Sequence, residues 1–67
     1  MITNFAIYSA ANIIAKQYGK DARLHATKRA TAMLKAGDLD SYAVWKRILR
    51  AVEELQGKDL GPGMQVH

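Results

Sequence analysis

Gly19, Gly37 and Gly57 stand at near-even intervals and cut the chain into three stretches of helical length. Glycine enters the left-handed conformation that ends a helix without a side-chain clash, so a glycine after a periodic run reads as a stop. The first two are followed by aspartates that can open the next helix, in Gly19-Lys20-Asp21 and Gly37-Asp38-Leu39-Asp40. This punctuation predicts an all-α, compact three-helix domain with helices over about residues 4–18, 21–36 and 41–56. Past Gly57, the run Lys58-Asp59-Leu60-Gly61-Pro62-Gly63 has no helical period, so the domain is expected over 1–57 and a flexible, disordered tail over 58–67.

Each stretch carries an apolar face at three- and four-residue steps. In the first, capped by Thr3 or Asn4, the face is Ile7, Ala10, Ala11, Ile14 and Tyr18, while Phe5, Tyr8 and Ile13 fall partly off it. In the second, opened by an Asp21 cap, Ala22, Ala26, Ala30, Met33 and Leu34 form a stripe of mostly small residues, which places this helix centrally between the other two. Leu24, Lys28, Thr31 and Lys35 point away from that stripe, with His25 and Arg29 on a flank. The third, capped by Asp38 or Asp40, has the clearest pattern: Val44, Trp45, Ile48, Leu49, Val52 and Leu55 against Lys46, Arg47, Arg50, Glu53 and Glu54. Trp45 is the largest side chain and the expected centre of the core. Truncating a fully buried tryptophan costs about 3–5 kcal/mol, so Trp45→Ala is expected to leave the protein largely unfolded.

Size makes any such loss serious. A domain of 67 residues buries only about 60% of the surface its unfolded chain exposes, and its core supplies roughly 3–5 kcal/mol unless something staples it. The chain has no cysteine, and its two histidines, His25 and His67, are far apart, so neither a disulfide nor a metal site is expected and no cofactor is implied. Self-association as a homodimer is the remaining source of extra burial. The apolar start, Met1 to Ala15, lacks a basic leader and a cleavage pattern and is too short to span a bilayer. A cytoplasmic protein that does not cross a membrane is the expectation.

No constellation for catalysis is visible. Asp21, Asp38 and Asp40 read as caps, Glu53 and Glu54 as a solvated face, and Asp59 as part of the tail. His25 has no positioned partner and reads as a surface residue, and Gly61-Pro62-Gly63 opens no helix that could cradle phosphate. The chain is not expected to be an enzyme. Charge carries more information: the net charge is +4 and the pI about 9.7, with Lys16, Lys20, Arg23, Lys28, Arg29 and Lys35 opposed between 16 and 35 by Asp21 alone. That balance suits an anionic partner, though a solubilising surface has the same composition. The second and third helices could form a helix-turn-helix in which Arg23, Lys28, Arg29, Lys46, Arg47 and Arg50 contact nucleic acid. Ser41, Tyr42 and Ala43 are poor base readers, however, and a plain helical hairpin accounts for the same turn.

The residues Tyr18-Gly19-Lys20-Asp21-Ala22, Ala26, Arg29-Ala30, Leu34, Gly37-Asp38, Trp45-Lys46-Arg47-Ile48 and Ala51-Val52-Glu53-Glu54-Leu55 form a string. It resembles that of a group of short uncharacterised bacterial helical proteins, over about residues 7–56. The resemblance implies a three-segment helical domain in a bacterial cytoplasm and brings no active site. The chain is more basic than that group around Lys16 to Lys35. The functional expectation is a small interaction or accessory protein that presents a helical surface to a protein partner or to itself. Phe5, Tyr8, Ile13 and Leu24, apolar and off the inward faces, are the expected contact residues.

Overall fold

A computed structural model describes residues 3–65, with side-chain surroundings through Gly57. Helix α1 spans Asn4–Tyr18 and starts as expected: the Thr3 hydroxyl accepts a hydrogen bond from the Ala6 amide at 3.1 Å, satisfying one of the free donors of the first turn. Gly19 leaves the helix at φ 55°, ψ −127°, but the chain re-enters helical structure at once through a single 3-10 turn, Gly19–Asp21, and continues as α2, Ala22–Lys35. No loop intervenes. The Ala22 amide bonds to the Gly19 carbonyl, and the Asp21 side chain makes no capping bond, contrary to the cap expected there.

The second break is complete. Gly37, at φ 80°, donates its amide to the Leu34 carbonyl, and the Asp38 amide reaches the Met33 carbonyl at 2.9 Å. These two bonds form a Schellman motif, which satisfies the last carbonyls of α2. The Asp38 carboxylate then accepts from the Ser41 amide at 3.1 Å and opens α3, Leu39–Gln65.

The expected count of three helices is therefore corrected to two helical bodies. One is bent at Gly19–Asp21 and comprises α1 and α2; the other, α3, is straight. The third helix also does not end near residue 56. Its backbone stays helical to Gln65, because Gly57 is not in the left-handed conformation that a glycine stop requires. A glycine that keeps helical φ costs a helix only about 1 kcal/mol relative to alanine.

Straight α3, not α2, is the central element. Asn4 meets Arg47, Tyr8 meets Glu54 and Gly19 meets Gln56, so α1 runs along α3 in the same direction. Arg23 meets Glu53 while His25 and Arg29 meet Trp45, so α2 runs back along it. The two limbs of the bent helix touch each other little and hold α3 between them. Alanines explain this: Ala11 on α1 and Ala22, Ala26 and Ala30 on α2 are buried, so both limbs approach α3 closely. With 27 residues at about 1.5 Å each, α3 also accounts for the 42 Å long dimension.

The core is consequently displaced from Trp45. It consists of Ile7, Ala11 and Ile14 from α1, Ala22 from α2, and Ile48, Ala51 and Val52 from α3, and Val52 is its largest fully buried side chain. Trp45 is half-buried at the edge, packed with Ala10, Val44 and Leu55 against this cluster. Its indole meets His25 and Arg29 instead. Tyr18 and Leu34, both assigned to inward faces, are exposed, and Met33 is half-buried.

Candidate interaction surface

Of the side chains expected to face a partner, Phe5 is 82% exposed, Ile13 57%, Leu24 54% and Tyr8 42%. Phe5 and Ile13 stand on the side of α1 turned from α3, since Ile7, Ala11 and Ile14 take the inward positions. Leu24 stands likewise on α2, opposite Ala22, Ala26 and Ala30. Tyr8 is different. Its hydroxyl donates to the Glu54 carboxylate, which ties α1 to α3 and raises the tyrosine pKa, because the hydrogen bond and the neighbouring negative charge both disfavour the phenolate.

Three further exposed apolar residues join these. Leu34 and Leu39 flank the Gly37 turn, and Tyr18 lies at the end of α1. With Leu24, Thr27 and Thr31, Leu34 makes a row along one side of α2, all four exposed. The row was legible at the i, i+3, i+7, i+10 spacing. Leu34 follows Met33 by one step and so fits the spacing of the inward stripe as well.

The six cations considered for nucleic acid are dispersed. Arg23 lies 3.8 Å from Glu53, Arg29 stands 5.5 Å above the Trp45 ring, and Lys28 is on the outward side of α2. Arg47 donates to the Asn4 side-chain carbonyl at 3.0 Å. Lys46, Arg47 and Arg50 do come together, lining one shallow cleft on α3 beside Leu49 and Glu53.

An aromatic ladder was not anticipated. His25 stacks on Tyr18, with centroids 4.2 Å apart and planes 12° from parallel, and meets Trp45 edge-on at 5.9 Å. Arg29 stands over the same indole in a cation–π contact. Treating Gly19 as a full stop separated Tyr18 from His25. Once the bend is seen to contain no loop, the two fall side by side, and Arg29 follows His25 by one turn. The surface reading of His25 thus becomes a half-buried joint between the limbs and α3.

Among the described residues, no three histidine, aspartate or glutamate side chains converge on a point that could hold a metal ion, and no helix is long and apolar enough to cross a membrane. No family model, curated protein or solved structure matches the chain.

Proposed function

We propose that the chain is a small cytoplasmic interaction module that presents an apolar helical surface to a second copy of itself or to a protein partner. The observation that carries this reading is an inverted distribution of large apolar side chains. Among the described residues only Ile7, Ile14, Ile48 and Val52 are buried side chains larger than alanine, whereas Phe5, Tyr8, Ile13, Tyr18, Leu24, Leu34 and Leu39 are exposed. A core rich in alanine buries little apolar area, and a contact with another chain would bury these residues further at about 25 cal/mol per Å2. The cytoplasmic setting follows the resemblance to short bacterial proteins.

Sedimentation equilibrium tests the self-association arm. The wild type should associate with rising concentration, and Ile13→Glu combined with Leu24→Glu should remain monomeric with an unchanged helical circular-dichroism spectrum. A monomeric wild type at millimolar concentration would remove that arm. Nucleic-acid binding is the second reading, supported by the convergence of Lys46, Arg47 and Arg50 on one cleft. It requires a gel shift that weakens steeply with salt.

A further inference from the structure

The bend at Gly19 does more than reverse the chain. It brings together three cations from three successive elements: Lys16 in the last turn of α1, Lys20 in the 3-10 turn and Arg23 in the first turn of α2. All three line one groove of about 700 Å3, which is within the range of small-molecule sites. Its remaining wall is partly apolar, from Ala15 and the half-buried Leu55, and Asn12 also lines it. None of the described residues lining it is acidic.

Gly19 and Gln56 complete the lining and hold the groove in shape. Gln56, on α3, donates its side-chain amide to the Gly19 carbonyl at 2.6 Å and so fixes the bend against the central helix. Glu53 lies 3.8 Å from Arg23. Both members of that pair are largely exposed, at 63% and 49%, so the ion pair is weak and the guanidinium can be drawn away by a competing anion.

We infer that this groove binds a phosphorylated small molecule with an apolar or planar body, of the nucleotide class. A phosphate monoester carries about two negative charges near neutral pH, which two lysines and an arginine neutralise more completely than they would a single carboxylate. Arginine pairs with phosphate oxygens through two parallel N–H bonds, and the lysines add point charges on either side. The Ala15 and Leu55 wall then takes the uncharged part of the ligand. This assignment is independent of the apolar contact surface, which involves other residues.

The test is a titration of 15N-labelled protein with ADP, with inorganic pyrophosphate and adenosine as separate arms, at low and at moderate salt. ADP should give saturable shifts centred on Asn12, Gly19, Lys20 and Arg23. Pyrophosphate should move the same amides with lower affinity, and adenosine alone should move none. Lys16→Gln and Lys20→Gln should each weaken ADP binding about ten-fold, while Arg50→Gln, away from the groove, should leave it unchanged. Glu53→Gln should tighten binding roughly two- to five-fold by freeing Arg23. Helical circular dichroism confirms that each variant is folded. Absence of saturable shifts, shifts centred on Arg47 and Arg50, or an unaltered affinity in both lysine variants would overturn the assignment.

Discussion

Replacing Gly19 by alanine isolates the backbone requirement of the bend. At φ 55°, ψ −127° an L-residue is strongly disfavoured, yet a β-carbon built at this position meets nothing within 4 Å. Steric crowding by neighbours therefore contributes nothing, and the whole cost is conformational, about 1–3 kcal/mol for such a backbone region. For a domain of this size a loss of about 2 kcal/mol lowers Tm by roughly 8–16 °C, a large share of a net stability of roughly 3–5 kcal/mol. Chemical synthesis makes a sharper comparison possible. D-alanine has the mirror-image preference, so the native φ and ψ lie in its broad extended region, and it restricts the unfolded chain more than glycine does. It should therefore raise stability by about 0.4–1 kcal/mol. Thermal melts followed by circular dichroism at 222 nm would read both. Equal Tm values for glycine and L-alanine, or an equal drop for both alanine enantiomers, would refute the positive-φ bend.

Other perturbations separate the corrected core from the expected one. Trp45→Ala should cost about 2 kcal/mol rather than unfold the protein, because a half-buried indole loses only part of the roughly 3–5 kcal/mol of a buried one; a urea titration would measure it. Ala26→Leu adds bulk at a fully buried position facing α3 and should destabilise by about 1–3 kcal/mol, while exposed Ala32→Leu should stay within about 0.5 kcal/mol of wild type. Equal urea midpoints for these two variants would contradict the packing of α2 on α3. The Asp38 pKa lies below the ordinary carboxylate value because its carboxylate accepts hydrogen bonds from the Ser41 side chain and backbone. Since the folded pKa is depressed, its stabilising contribution is present above the unfolded pKa and is lost as pH falls through the folded one. Asp38→Asn, which caps without titrating, should thus show a shallower loss of Tm below about pH 4 than the wild type.

Local signals in the sequence were read well where one residue decides the outcome. The Thr3 cap, the Gly37 stop and the Asp38 start each depend on one side chain or one φ angle, and all three occur where the pattern placed them. Gly19 was recognised as a special position, but its φ alone does not tell whether the next residues leave the helix or turn straight into another. The structure has the latter, and two helices become one bent body. Gly57 shows the converse, since a glycine with helical φ stops nothing. The core was misplaced because periodicity weights large side chains, whereas close approach here is set by alanines that carry little hydrophobic signal. That same substitution of small for large explains why Phe5, Ile13 and Leu24 were legible as outward residues while Leu34 and Tyr18 were not. The groove at the bend could not be seen at all until Lys16, Lys20 and Arg23 were brought to one side by the reversal at Gly19.

In this fold α3 lies between the two limbs of one bent helix. Methyl-resolved NMR distance measurement tests this directly. The methyl groups of Ile48 and Val52 should show short-range contacts to Ile7, Ala11 or Ile14 on one limb and to Ala22 on the other, with few contacts from α1 to α2. Extensive contacts between α1 and the Ala22, Ala26 and Ala30 methyl groups, with Ile48 and Val52 meeting only one limb, would contradict it.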